Sequence, residues 1–103
     1  MLSLVVYIPE SHLESVKEAM FKAGAGRLGK YDQCCWQTEG KGQFRPMEGA
    51  DPHTGKVGKL ETVKEWKVEM VCERDKLGAA IKALKSAHPY ETAAFHVTET
   101  LPV

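Results

Sequence analysis

Residues 2–26, LSLVVYIPESHLESVKEAMFKAGAG, place a strand pattern directly before a helix pattern, and this order decides the fold. The first seven residues are rich in β-branched side chains and alternate between two faces, which favours a strand. Pro9 ends this run, and Ser11 followed by Glu14 predicts a capping box at the start of a helix. Gly24 predicts the end of that helix. Between these signals, apolar residues recur at helical spacing, at Leu13, Val16, Ala19, Met20 and Ala23.

The rest of the sequence extends this pair into the order β-α-β-β-α-β. Three further strands are predicted, over residues 30–38, 61–73 and 92–99. A second helix is predicted to begin at Asp75 and to stop by His88, because the residue before a proline disfavours the helical region. Residues 39–60 are rich in glycine and proline and predict a long loop between the second and third strands. We therefore predict one α+β, ferredoxin-like domain over residues 1–103, with a four-stranded antiparallel sheet and two helices on one of its faces.

The two faces of the predicted sheet differ in composition. The more apolar face is expected to pack on the helices. The opposite face, called the open face below, is too polar for a core and too apolar to be simply solvated, and it is predicted to carry Ser3, Val5, Tyr7, Gln33, Cys35, Gln37, Lys67, Glu69, Val71, Ala94, His96 and Thr98. Because so short a chain has a limited core, covering this face with another copy would stabilise it. We predict a homo-oligomer whose interface includes Val5, Tyr7, Val71 and His96.

Composition and charge narrow the possible partners and the cellular setting. Fourteen basic residues balance fourteen acidic ones, so the usual electrostatic footprint of a nucleic-acid-binding protein is missing. No apolar run approaches the ~20 residues of a membrane span, and the start of the chain has no signal-peptide pattern. Three cysteines without a CxxC motif favour reduced thiols. We therefore predict a cytoplasmic protein that binds neither nucleic acid nor membrane.

Several motif-like stretches are better explained as ordinary structure. GAGRLG, residues 24–29, matches GxGxxG but follows a helix and precedes a strand, the reverse of the nucleotide-binding order, so it predicts a helix end. Residues 49–56, GADPHTGK, are one residue too long for a P-loop. Cys34 and Cys35 are neighbours on a predicted strand, so their side chains point to opposite faces and do not share a metal ion.

The stretch SAHPYETAAFHV, residues 86–97, has two interpretations. It contains two histidines, a carboxylate and a tyrosine, so His88, Glu91 and His96 are an alternative set of metal ligands. None of the histidines has the HxxxH or HExxH spacing of a metal site, however. The favoured interpretation is a turn between helix and last strand, formed by His88, Pro89, Tyr90 and Glu91. We predict no metal, no other cofactor and no catalytic residue.

Residues 43–55, QFRPMEGADPHTG, within the long loop are the predicted functional surface. Its prolines and glycines exclude a helix, whereas Phe44 and Met47 are apolar and should dock against the domain. Arg45 and Glu48 are expected to pair with each other or with a neighbouring subunit. We predict that a ligand or a subunit interface is contacted by Phe44, Arg45, Pro46, Glu48 and Gly49. The partner, a small molecule or a protein, is not identified by these residues.

Two segments resemble a known family. Residues 39–61, EGKGQFRPMEGADPHTGKVGKLE, together with HPYE at residues 88–91, resemble the inserted domain of the YqfO-type Nif-three-like proteins. These are dinuclear-metal proteins labelled GTP cyclohydrolase I type 2 homologues. Residues 6–34 look similar to the same insert. HPYE also resembles the divalent-ion tolerance proteins named CutA.

The resemblance implies an architecture and a function. The insert, CutA and the PII signalling proteins share a ferredoxin-like, trimer-forming fold, so we expect a homotrimer. The metal-site lobes that flank the insert in the larger proteins have no counterpart in this sequence, which implies a non-catalytic, self-associating module with a regulatory or ligand-sensing role. One alternative is a divalent metal-ion binder resembling CutA. Another is an accessory part of a metal-dependent hydrolase whose catalytic lobes are on another chain.

Overall fold

The computed structural model describes residues 1–101 and contains four strands and two α-helices. The strands are β1 (Leu2–Pro9), β2 (Trp36–Phe44), β3 (Glu61–Cys72) and β4 (Phe95–Glu99). The helices are α1 (Leu13–Lys22) and α2 (Leu77–Ala87), and each is preceded by a short 3-10 turn, Glu10–His12 or Arg74–Lys76. Among residues 1–101, neither helix has the length and apolar character needed to cross a membrane.

The four strands form one antiparallel sheet in the spatial order β2-β3-β1-β4. The central strand β1 pairs with both neighbours, so that Val5 lies opposite Glu69 on one side and His96 on the other. Both helices belong to the same layer, since they contact each other and share one core with a single face of the sheet. This arrangement confirms the predicted ferredoxin-like α+β fold.

The core lies between the helices and the apolar face of the sheet. Alternate residues of β1 and β3 contribute to it, as the period-two pattern of a half-buried strand requires. The helices contribute residues at i, i+3 and i+4 spacing. The buried residues of this cluster are Leu4, Val6, Ile8, Leu13, Val16, Met20, Ala25, Val68, Met70, Cys72, Ala80 and Leu84.

The helix ends were predicted with mixed success. The capping box was wrong: Ser11 Oγ lies 2.8 Å from Nδ1 of His12, and no side chain caps the first turn of α1. The reason is that Glu10–His12 form a 3-10 turn, which shifts the α-helix start to Leu13. At the other end, Gly24 has a φ of 108°, as a glycine that terminates a helix should. His88 is extended, with φ −72° and ψ 136°, in agreement with the restriction that Pro89 imposes.

The second strand begins and ends later than predicted. Residues 30–35 do not form a strand, because Leu28 and Tyr31 form an isolated antiparallel bridge and Gln33 has a φ of 55°. The strand instead continues through Gly40 and Gly42 to Phe44, paired with β3 along its whole length. The connection to β3 is therefore residues 45–60, called the β2–β3 loop below. Strand β4 is also shorter than predicted and starts at Phe95, because residues 88–94 form the turn that connects α2 to β4.

This register reverses the predicted faces of β2. Gln37 lies opposite Val68, a core residue, and its Oε1 accepts a hydrogen bond of 2.8 Å from Lys17 Nζ on α1. Cys35 packs against the core and Gln33 precedes the strand, so the assignment of these three residues to the open face was wrong. The open face of β2 instead carries Trp36, opposite Glu69, and Trp36 is 69% exposed.

Candidate functional site: a cavity beneath the β2–β3 loop

The side chain of His88 connects the α2–β4 turn, residues 88–94, to the end of β1 by hydrogen bonds. It is only 6% exposed, and its Nε2 lies 2.7 Å from the carbonyl oxygen of Tyr7. Its Nδ1 accepts a 3.2 Å hydrogen bond from the backbone N–H of Tyr90. Since a carbonyl only accepts and an amide N–H only donates, the ring must carry its proton on Nε2. Burial lowers the pKa of His88, which favours this neutral form.

The β2–β3 loop folds back toward this turn. At the base of the loop, the N–H of Gly58 donates a 2.7 Å hydrogen bond to the carbonyl oxygen of Pro46. Pro46 is a buried residue. Farther along, the N–H of Asp51 donates a 3.1 Å hydrogen bond to the Oε2 atom of Glu91. The loop is thus attached to the α2–β4 turn by a contact that spans 40 residues of sequence.

Aromatic rings cluster where the loop meets the turn. The centroid of the Tyr90 ring lies 5.0 Å from that of His88, 6.1 Å from that of Phe44 and 6.0 Å from that of His53. His53 also meets the ring of His12 edge-on at 6.0 Å. Such offset and edge-on pairs stabilise beyond the area they bury. The predicted docking of Phe44 is therefore observed, and its partner is the turn motif. The docking predicted for Met47 was wrong, because its side chain projects from the loop and is 73% exposed.

A cavity of about 470 Å³ lies between the loop, the turn and the adjoining end of the open face. Its walls include both segments, together with Tyr7 and Glu65 from the sheet. This volume is typical of a site for a small organic molecule. The lining residues are Tyr7, Gln43, Phe44, Arg45, Pro46, Met47, Glu48, Ala50, Pro52, His53, Thr54, Glu65, Tyr90, Glu91, Thr92 and Ala94.

Two residues of the cavity wall have polar groups in unusual environments. The hydroxyl oxygen of Tyr90 is buried and has no hydrogen-bond partner among residues 1–101. Burial raises its pKa, and the nearby charge of Glu65 raises it further. Burial also raises the pKa of the half-buried Glu65 carboxyl group. Unpartnered buried polar atoms cost free energy, and they are not confined to this cavity, because Nε1 of Trp66, which is not in the cavity wall, is also buried and unpartnered among residues 1–101.

Gly42 makes room for the Glu65 carboxylate. A Cβ atom at this position would lie 1.6 Å from Oε1 of Glu65, so only glycine lets the carboxylate cross β2 in its present position. Gly40 lies two residues earlier on the same strand, and a Cβ atom added there would have no other atom within 4 Å. The glycine at position 42 is therefore specifically required by the site.

The residues predicted for the functional loop mostly line this cavity. Phe44, Arg45, Pro46 and Glu48 are in its walls, whereas Gly49 is outside them and adopts a φ of 94° in the loop. Arg45 and Glu48 do not form an ion pair with each other within the described part of the chain. Pairing with a neighbouring subunit stays a prediction.

The residues predicted for the oligomer interface all lie on the open face. Val5 is buried, Tyr7 and Val71 are half-buried, and His96 is exposed. The rings of Tyr7 and His96 are 6.4 Å apart. Tyr7 also lines the cavity, so one side chain belongs to both surfaces. Trp36 was not predicted to lie on this face, because the predicted register of β2 was displaced.

The alternative metal ligands are not brought together. Both ring nitrogens of His88 are engaged by backbone groups, and His96 lies on the open face. Across residues 1–101, no group of three or more histidine, cysteine or acidic residues has the geometry to hold a metal ion. Cys34 Sγ contacts the carbonyl oxygen of Asp32 at 3.6 Å, whereas Cys35 packs on the core.

Glu65 and His53 are the site residues that the sequence analysis did not single out. The alternation of β3 contained the signal for Glu65, since it places this residue on the same face as Lys67 and Glu69. His53 carried no comparable signal, because only the course of the loop brings it to Tyr90.

The fold is the ferredoxin-like fold found in CutA and PII-like proteins. The CutA structure from Pyrococcus horikoshii has a TM-score of 0.72 and 19% identity, and covers 100% of this chain and 87% of its own. The PII-like protein CutA from Nostoc has a TM-score of 0.69 and 15% identity, over 97% of this chain and 81% of its own. At these identities the likeness shows the fold alone.

The sequence relatives are more specific. A GTP cyclohydrolase 1 type 2 homolog from Mycobacterium leprae is 42% identical over 98 residues, which is 95% of this chain and 26% of the relative. A Bacillus cereus protein related to NIF3 matches with a TM-score of 0.81 and 38% identity, over 94% of this chain and 24% of its own. No family model matches the chain. The predicted resemblance to the Nif-three-like proteins is confirmed, and the chain spans about a quarter of the length of the relatives it matches.

Proposed function

We propose that this chain is a non-catalytic, ligand-sensing module that self-associates through the open face of its sheet. The observation that carries the proposal is the cavity beneath the β2–β3 loop, whose wall includes Tyr90, a residue with a buried and unpartnered hydroxyl oxygen. A ligand there would contact the loop and the α2–β4 turn together. Since the loop is attached to the turn at Asp51 and Glu91, occupancy would change how firmly the loop is held.

The proposed self-association is supported by the composition of the open face. Trp36 is largely exposed on β2, and Val71 and Tyr7 are half-buried on the neighbouring strands. A trimer with these faces turned inward would remove them from water, which is favourable for apolar surface. Because Tyr7 belongs to both the open face and the cavity, assembly and ligand binding should influence each other.

The ligand-sensing proposal is tested by filling the cavity. Ala94 is exposed and lines the cavity, so Ala94→Trp should occupy this space with little disturbance of the core. Ser86→Trp is the matched control, because Ser86 is exposed at the end of α2, away from the open face, and is not part of the cavity wall. A metabolite library is screened against both variants and the unaltered protein by saturation-transfer NMR.

The proposal requires compounds that bind the unaltered protein and Ser86→Trp but not Ala94→Trp. A complete screen without any such compound would contradict the ligand-sensing role. The non-catalytic assignment is tested on the same compounds, because each that binds should be recovered chemically unchanged after prolonged incubation with the protein.

The length of the relatives supports a second candidate, an accessory role beside catalytic regions on another chain. The segment that this chain matches makes up about a quarter of each relative, so the domain occurs in a larger protein there. This role predicts that the chain binds a Nif-three-like protein lacking the matching segment. Analytical ultracentrifugation of the two together would show a complex if it is right, and separate species if it is wrong.

A further inference from the structure

The ionisable groups of the cavity are mostly acidic. Three carboxylates line it, those of Glu48, Glu65 and Glu91, against one guanidinium group, that of Arg45. The burial of each charged group affects the electrostatic field in the cavity as much as the number of such groups does. Arg45 is exposed, whereas Glu65 is half-buried on the sheet. The least hydrated charge, whose field is the least screened, is therefore negative.

The walls around this carboxylate are aromatic and apolar. Phe44 and His53 each contact the ring of Tyr90, and all three line the cavity. Aromatic faces attract cations, and the attraction increases when the cation is desolvated. A carboxylate beside aromatic rings thus suits a positive charge attached to an apolar body. It disfavours phosphate, which Glu65 would repel at short range.

From this geometry we infer that the cavity binds a small organic cation, an ammonium or amidinium group on an apolar or aromatic body, with Glu65 as its counter-ion. We assign the second polar contact to the hydroxyl group of Tyr90, a residue of the cavity wall; this oxygen is buried and unpartnered, so a ligand must displace its neighbours to reach it. A planar amidinium can donate two parallel hydrogen bonds to one carboxylate, which adds geometric specificity. This inference rests on the proposed ligand-sensing function and deepens it by naming the class of ligand.

Three probes of similar shape and different charge test the inference. Benzamidine is cationic, benzamide is neutral and benzoate is anionic at pH 8. Binding of each is followed by saturation-transfer NMR and by titration of the amide spectrum of the full chain. Benzamidine should perturb the cavity residues, benzamide should bind more weakly, and benzoate should not bind.

Variants identify the groups responsible. Glu65→Gln keeps the side-chain shape and should weaken benzamidine binding at least about tenfold, because it removes a charged hydrogen-bond partner. Tyr90→Phe should weaken it about two- to tenfold. Glu73→Gln is the control, since Glu73 is exposed just beyond β3 and outside the cavity, and it should leave binding unchanged.

The outcomes separate this inference from the function on which it rests. Benzoate or benzamide binding as tightly as benzamidine, or benzamidine binding unaffected by Glu65→Gln, would overturn the cation inference. If Ala94→Trp abolishes the binding of whichever probe binds, the ligand-sensing function is still supported although the cation inference is wrong. If none of the three probes binds the unaltered chain, the cation inference is also wrong. The metabolite screen with Ala94→Trp then decides the ligand-sensing function separately.

Discussion

The imidazole of His88 joins the end of α2 to the end of β1 through the carbonyl oxygen of Tyr7, which lies 2.7 Å from its Nε2 atom. A second hydrogen bond connects the same turn to β1, since the N–H of Tyr7 donates to the carbonyl oxygen of Ala94 at 3.0 Å. Both ends of the α2–β4 turn are therefore attached to one residue of the central strand. Because Tyr7 also lines the cavity, the turn and the cavity wall have a common anchor.

Replacing His88 should destabilise the protein substantially. His88→Ala leaves the carbonyl group of Tyr7 and the N–H of Tyr90 without their partner, and each unsatisfied buried group costs about 1–3 kcal/mol. We expect a loss of roughly 2–4 kcal/mol in the free energy of unfolding, measured by urea denaturation. Lys82→Ala, at an exposed position on α2 and away from the open face, is the control and should change stability by less than about 0.5 kcal/mol. Equal effects of the two substitutions would contradict a structural role for His88.

The pH dependence of stability should also depend on His88. Its pKa is lowered from 6.5 in the folded protein, chiefly by burial. Above pH 6.5 the ring is neutral in both states and stability is unaffected. As the pH falls below 6.5, the unfolded chain takes up a proton that the folded chain resists, so stability decreases until the folded pKa is reached.

Urea denaturation between pH 8 and pH 5 measures this effect when the unaltered protein is compared with His88→Gln. The comparison removes the contribution of Glu65, whose raised pKa acts in the opposite direction and favours the folded state as the pH falls. The difference in stability between the two proteins should narrow as the pH falls through this window. A difference that stays constant would refute the assignment of the neutral ring.

The fold was more accessible to prediction from sequence than the site. Strands β1 and β3 and both helices had clear apolar periodicity, because each buries one face in the same core. Strand β2 did not, since Gly40 and Gly42 make an edge strand look like a loop. The cavity depends on backbone contacts between distant segments, such as Gly58 to Pro46 and Asp51 to Glu91, which leave no periodic signal.

Breaking the contact between Asp51 and Glu91 should loosen the β2–β3 loop and spare the core. Glu91→Ala removes the acceptor for the N–H of Asp51, while Glu91→Gln retains an oxygen at the same place. Both positions are exposed, so we expect a loss of stability below about 1 kcal/mol. Hydrogen exchange at the amide of Asp51 should accelerate in Glu91→Ala and much less in Glu91→Gln. Unchanged exchange in Glu91→Ala would show that the contact does not hold the loop.

Charge introduced on the open face should prevent the proposed trimer. Val71→Glu places a carboxylate at a half-buried position away from the cavity, and an unpaired charge buried in an interface costs several kcal/mol. Tyr7→Glu should also weaken assembly, although it alters the cavity as well. Ser86→Glu, exposed at the end of α2, is the control for the added charge. Light scattering at micromolar concentration should find trimers of the unaltered protein and Ser86→Glu and monomers of Val71→Glu. A monomeric unaltered protein would refute the assembly.

Gly42 and Gly40 allow a paired test of the cavity. Gly42→Ala introduces a methyl group where the Glu65 carboxylate now lies, with Oε1 only 1.6 Å from the new atom. The end of the glutamate side chain is flexible, so the carboxylate should move away while the strand stays in place. We expect stability within about 1 kcal/mol of the unaltered protein, because alanine also restricts the unfolded chain.

The carboxylate displaced by Gly42→Ala should no longer be placed to meet a cation in the cavity, so affinity for benzamidine should fall nearly as far as in Glu65→Gln. Gly40→Ala meets no atom within 4 Å and should leave affinity unchanged, with stability equal or slightly increased. If both alanine variants bind benzamidine like the unaltered protein, the position of Glu65 over Gly42 is not what recognises the cation. If both lose binding to the same extent, the effect comes from the strand and not from the carboxylate. Only loss in Gly42→Ala alone agrees with the role assigned to Glu65.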